Sequence, residues 1–269
     1  MTILGTVLAA GGEEGGGLAF PPISHVLEWK NIIGDGAFAI NKIALTNFFA
    51  VAATFLFFWA GSRKRALVPK GVQNMAEASI DFIEHNIADE VMGHEGRKYV
   101  PFLAAIFFYI FFNNITGVIP GWQMPGNARM AVPAMLALVV WVVFNVAGMK
   151  AQGVGHYFKS SLFPPGVPKA LYLLVTPIEF ISVFLVRPFS LAVRLFANVL
   201  AGHILLVTFA VLTHAMVTAD TFALKPIGVL PLLMLVLMTG FEIGVAFLQA
   251  YIFTLLAAVY IGGAVHPEH

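Results

Sequence analysis

Between Ala170 and Val217 the chain runs apolar almost throughout, broken by Pro177 and Pro188 but by no polar loop. As helix this stretch would reach about 70 Å at 1.5 Å per residue, more than twice the ~30 Å hydrocarbon core of a bilayer. It cannot stand upright as one span. Either a short helix meets a span at one of the prolines, or a long bent helix lies strongly tilted. Residues 226–262 are similar, with Gly240 and Gly244 inside another over-long apolar run. Lipid does not require two such neighbours, whereas a protein partner can. Only 11% of the 269 residues are charged and 59% are hydrophobic, against roughly 25% charged in soluble domains. The chain therefore reads as an all-α, polytopic helical membrane protein.

Three further runs complete about five membrane-embedded helices: 38–60, 99–119 and 131–149, each close to the roughly 20 residues a crossing needs. Lys42, near the start of the first, can snorkel outward. The densest basic cluster, RKRALVPK at 63–70, follows that span; the positive-inside rule makes its side cytoplasmic. Residues 1–37, with Glu13, Glu14, Glu28 and Asp35, are then extracytoplasmic. The opening stretch lacks a positive n-region and is expected to be a mature amino terminus. The connector PGWQMPGNAR falls outside by alternation, and Lys150, Lys159 and Lys169 return the inside charge. Residues 72–92 place Val72, Met75, Ala76, Ile80, Ile83, Ile87 and Val91 at spacings of three and four, which predicts an interfacial amphipathic helix on the cytoplasmic surface. Its acids, Glu77, Asp81, Glu84 and Asp89, form a face that is solvated or meets a soluble partner. No internal repeat or second domain is visible, so 38–269 reads as a single membrane domain.

Composition removes several classes of function. A formal net charge of +1, with no basic cluster interleaved with aromatics, leaves no basis for nucleic-acid binding. The absence of cysteine excludes disulfides, cysteine-ligated zinc and iron-sulfur clusters. There is no P-loop, no HExxH, no GxSxG elbow and no histidine pair in the spans suited to haem, so neither a cofactor nor catalysis by this chain alone is expected.

What remains is a sparse set of polar residues in apolar helix. Such residues cost about 2.5–3.5 kcal/mol each when charged at mid-membrane, and face a partner or water. Arg194 is a fixed positive charge, since arginine does not deprotonate in proteins. It suits an electrostatic barrier or counter-ion, or else a structural ion pair with Glu242. Asn198, one turn on, shares its face, whereas His203, nine residues from Arg194, points the other way. Glu242 and Gln249, seven apart on the last helix, share a face suited to that stripe. Glu179 and Ser182 add polar positions nearer the cytoplasmic end. Titratable groups interleaved with neutral polar ones are what a hydrated proton path needs, and the alternative for His203 is a hydrogen-bonded buried histidine. Asn113 and Asn114 are open between interhelical hydrogen bonding and channel lining.

The segments RPFSLAVRLFANVLAGHILL and EIGVAFLQAYIFTLLAAVY, with NNITGVIPG in the second span, closely resemble the a-subunit family of the F-type ATP synthase membrane motor, over residues from about 40 to the end. The resemblance implies a non-catalytic, proton-translocating stator with two offset half-channels that load and unload carboxylates on a rotating c-ring. Arg194 matches the family's separating arginine. Asn198, His203, Glu242 and Gln249 match positions of the half-channel open to the outside, where the family also holds acid and imidazole in exchanged order. Asn114 aligns with a channel position, although Gly117 stands where some members carry an acid. Glu179 resembles a glutamate of the cytoplasmic half-channel, at a spacing to Arg194 one residue longer than in some relatives. Implied partners are the c-ring, the peripheral stalk b subunits and other ATP synthase subunits, in a bacterial plasma membrane with the amino terminus outside and the carboxyl terminus cytoplasmic. Helices 170–217 and 226–262 would then be the ring-facing, tilted pair. The rival from another class is a secondary transporter with Arg194 and Glu242 in a substrate site, which would favour inverted repeats and broken helices. A purely structural scaffold leaves His203, Glu242 and Gln249 unexplained.

Overall fold

The computed structural model describes residues 41–266 apart from 64–65, 67, 120–121, 123–124, 164–167, 169–170 and 219–223. The expected extracytoplasmic segment 1–37, and Lys64, Arg65 and Lys169 of the basic clusters, lie outside the described residues. All regular structure among the described residues is helical: α1 (Lys42–Arg63), α2 (Val72–Ile83), α3 (Asp89–Met92), α4 (Val100–Ile115), α5 (Ala131–Gln152), α6 (Val154–Leu162), α7 (Tyr172–Ile181), α8 (Arg187–Thr218), α9 (Leu224–Ile227) and α10 (Val229–Val265). Among the described residues, five continuous helical stretches are long and apolar enough to cross a membrane: Lys42–Arg63, Val72–Ile115, Ala131–Gln152, Tyr172–Thr218 and Lys225–Val265.

The core lies where α4, α5, α8 and the second half of α10 meet. Lipid tails are as apolar as leucine, so close packing and interhelical hydrogen bonds hold such a bundle more than hydrophobic burial does. α10 follows that rule: Ala250, Ala257 and Ala258 are fully buried beside Phe253 and Ile261, which lets its backbone approach α4 and α5. The end of the bundle where α5 and α10 finish is tied by Gln152, whose Nε2 donates to the Ala264 carbonyl at 2.7 Å. Gly153, at φ 81°, ends α5 and opens α6, a left-handed backbone that favours glycine at a helix C-terminus.

The expected amphipathic helix is present, with two differences. Between α2 and α3 the backbone opens into a π-turn, Glu84–Ala88, closed by the Asp89 N–H to the Glu84 carbonyl. Its inward side is Gln73, Ala76, Ile83, Ile87 and Met92, whereas Val72, Met75 and Ile80 of the expected apolar stripe are exposed. The segment packs along α1 and α4 rather than standing free, and that contact chooses which side is buried. Two of its acids are met from within the chain: Arg97 Nε pairs with Glu84 Oε1 at 2.9 Å and Arg97 Nη2 with Asp89 Oδ2 at 3.5 Å.

Pro177 lies inside α7, and a second π-turn, Ser182–Val186, joins α7 to α8. Of the two arrangements open for 170–217, the helical path is continuous through both prolines, with the irregularity placed just before Pro188. α8 has 32 residues and α10 has 37, or about 48 and 55 Å of helix. Both exceed the ~30 Å hydrocarbon core and fit it only by tilting.

Candidate functional site: a polar seam between two long helices

α8 and α10 pack side by side, and their facing polar residues enclose a small cavity lined by Asn114, Gly117, Pro125, Asn198, Val199, His203, Glu242, Val245, Ala246 and Gln249. It offers about 20 Å³ to water centres, above the roughly 10–15 Å³ that one water needs. Across the seam Asn198 Nδ2 donates to Gln249 Oε1 at 2.5 Å. That bond uses one donor and one acceptor of two amides and leaves Gln249 Nε2 buried without a partner among the described residues, as are His203 Nε2 and Glu242 Oε2. Three unsatisfied polar atoms around one cavity mark a hydrated site, because an unpaired buried polar atom costs about 1–3 kcal/mol.

Gly202 sets how closely the two helices meet here. A Cβ at this position would collide with Glu242 Oε1, so the carboxylate rests against the bare backbone of α8. His203, the next residue, is 3% exposed and turns into the seam.

The outer wall is held by a separate network. Asn47 on α1 accepts from Tyr109 Oη at 2.6 Å and from Asn113 Nδ2 at 2.7 Å, while its own Nδ2 donates to the Gly126 carbonyl at 3.3 Å. Trp122 Nε1 donates to Thr46 Oγ1 at 2.8 Å, and Asn127 Nδ2 donates to Asn114 Oδ1 at 2.9 Å. The adjacent amides on α4 therefore divide the work: Asn113 bonds between helices, and Asn114 lines the cavity.

Arg194 stands apart. It is exposed, on a strip of α8 with Ala197, Asn198, Ala201 and Leu205, opposite in phase to buried Leu195, Val199 and His203. No ion pair or hydrogen bond to its side chain is present among the described residues, so the structural pair with Glu242 does not form. On α10, Phe241 is exposed, and a Cβ on Gly240 or Gly244 would meet open space. Small residues of this kind let another helix come close.

A second polar cavity, about 170 Å³, lies toward the other end of the bundle, lined by Gln152, Tyr157, Ser160, Ser161, Glu179, Val183, Arg187, Gly263 and Ala264. Tyr157 Oη donates to Asn145 Oδ1 at 3.0 Å. Burial pushes the Tyr157 phenol up from its usual value, against the Ser161 hydrogen bond and the Arg187 charge, so it serves as a neutral hydroxyl. Arg187 stacks over the Tyr260 ring at 5.4 Å, a cation-π contact that orients the guanidinium.

Residues 44–262 match the family model described as ATP synthase A chain. The chain belongs to the ATP synthase A chain family. A curated relative in Frankia alni, named ATP synthase subunit a, is 41% identical across 98% of this chain and 90% of its own length. Relatives of the same name in Rhodococcus erythropolis and a Methylobacterium species are 42% and 39% identical, covering 88% and 91% of this chain and 86% and 97% of their own.

For this member of the ATP synthase A chain family, the structure gathers Asn114, Asn198, His203, Glu242 and Gln249 around one cavity, sets Arg194 on the outer surface one turn from Asn198, and puts Glu179 in the second cavity. Ser182 does not line that cavity; it begins the π-turn. Sequence reading missed Gln152, Tyr157, Ser160 and Arg187, which come from three elements and form no local pattern. It also missed Asn47, whose only signal was an amide inside the first apolar run.

Proposed function

We propose that this chain is the proton-translocating stator subunit of the membrane sector of an F-type ATP synthase, without catalytic activity of its own. The seam cavity belongs to a half-channel open to the outside, the second cavity to one open to the cytoplasm, and Arg194 separates them. The observation that carries this reading is Arg194 itself: a permanent charge on an exposed face, paired with no acid among the described residues. A counter-ion supplied by another protein removes that anomaly. A carboxylate on a passing c-ring would meet the guanidinium with about 4 kcal/mol of attraction at 4 Å and an effective dielectric of 20, enough to favour its ionised form. Desolvation keeps the pair from locking.

The remaining parts follow. Glu242 and His203 can hold protons, and Asn114, Asn198 and Gln249 hold water between them, so protons reach the ring from the outside. Glu179 serves the cytoplasmic side. The b subunits and other ATP synthase subunits complete the stator, in a bacterial plasma membrane with the amino terminus outside and the carboxyl terminus cytoplasmic.

Reconstitution in vesicles tests this against a self-contained transporter. The chain alone should carry no proton flux above lipid background, and flux should appear when the ring is assembled with it. Flux from the chain alone would refute the stator reading.

A further inference from the structure

Pro188 follows directly on an i→i+5 hydrogen bond, from the Arg187 N–H to the Ser182 carbonyl, that closes the π-turn Ser182–Val186. Proline has no N–H to offer the carbonyl four residues back, that of Phe184, and its ring crowds that oxygen. A widened turn relieves the clash. It also absorbs one residue, so the helix before it is rotated by one residue's step, about 100°, relative to an unbroken helix. Glu179 and Arg187 are eight apart; they would diverge by about 80° along an unbroken helix, and fall within about 20° with one residue absorbed. The cavity agrees with the second figure, since Glu179, Val183 and Arg187 all line it. On either side of Glu179, Ile178 and Phe180 are 55% and 54% exposed, so a rotation by one residue would carry the carboxyl onto the outward apolar face.

We propose that the π-turn at Ser182–Val186 is a phasing element that holds the Glu179 carboxyl inside the cytoplasmic-end cavity beside Arg187, and that Glu179 exchanges protons with cytoplasmic water only in this phase. This rests on the half-channel reading above. Glu179 is the proton-exchanging group, and the π-turn is its positioning device. The direction of the effect of chain length follows. Removing one residue from the turn, in a chain whose Pro188 is replaced by alanine so that no ring crowds the carbonyl four residues back, restores an ordinary α-helix with Glu179 and Arg187 seven apart and still in phase. Adding one turns Glu179 away.

The chain has no cysteine, so single cysteines report water access directly in the assembled complex, in vesicles with the cytoplasmic face outward. With a membrane-impermeant maleimide, Glu179→Cys and Arg187→Cys should react at least about tenfold faster than Ile178→Cys and Phe180→Cys. Equal reactivity at 178, 179 and 180 would overturn the phase assignment without any change of chain length. Leu185 is 65% exposed and is the place to alter length. In a Pro188→Ala background, its deletion should leave labelling at Glu179→Cys, and ATP-driven pumping with Glu179 intact, within about twofold; insertion of one alanine after it should lower both at least about tenfold. An insertion that pumps normally, or a deletion as harmful as the insertion, would overturn the proposal. Arg194→Ala measured alongside separates the two levels: normal pumping there removes the half-channel reading, whereas the labelling pattern speaks to the π-turn alone.

Discussion

Gly202 shows how a residue with no side chain governs one that has chemistry. A methyl group there meets only the far end of the Glu242 side chain, which can swing aside, so Gly202→Ala should change stability little while moving the carboxylate out of the cavity. We expect assembly at normal levels and pumping reduced at least about tenfold, measured by ATP-driven fluorescence quenching in vesicles; unchanged pumping would show that the position of Glu242 is not critical. Asn198 and Gln249 share one hydrogen bond, so Asn198→Ala and Gln249→Ala should be non-additive in proton flux, and a double-mutant cycle that adds up would deny the coupling. Arg194, Asn198, His203, Glu242 and Gln249 were legible in the sequence because a polar group in lipid is too costly to be incidental. The collision at Gly202 was not, because its other half comes from a different helix.

The helices as elements were legible for the same reason: five apolar runs of sufficient length have few alternatives in a bilayer. Their irregularities were not. Both π-turns shift hydrogen bonding by one residue, and only Pro188 gave a local hint of either. Nor did periodicity show which side of α2 turns inward, since Val72, Met75 and Ile80 fit a helical stripe as well as the buried residues do; the close approach of α1 and α4 decides it. The Asn47 network joins three elements that sequence could not bring together. Asn47→Leu removes the acceptor for Tyr109 and Asn113 and should cost about 1–2 kcal/mol, seen as a lower unfolding midpoint of the assembled complex in detergent. An unchanged midpoint would mean that the outer wall is held by packing alone.

Taken whole, the molecule buries one end of α10 and leaves the other bare. From Ala250 onward α10 is largely core, whereas Leu230, Leu233, Val236, Leu237 and Phe241 are more than half exposed. The outward strip of α8 is exposed as well, and Arg194 is the charge on it. Lipid would cover the apolar part but gives a guanidinium without a partner among the described residues no reason to be there. On the proposed reading, a ring of helices passing with its own carboxylates would cover both. The most direct test is passive proton flux across vesicles holding the assembled complex, comparing wild type with Arg194→Ala while ATP-driven pumping is followed in parallel. We expect pumping to be lost while passive leakage is kept or increased, as a separator between two half-channels requires. Normal pumping by Arg194→Ala would reduce this arginine to a structural residue and contradict the assignment on which the proton path depends.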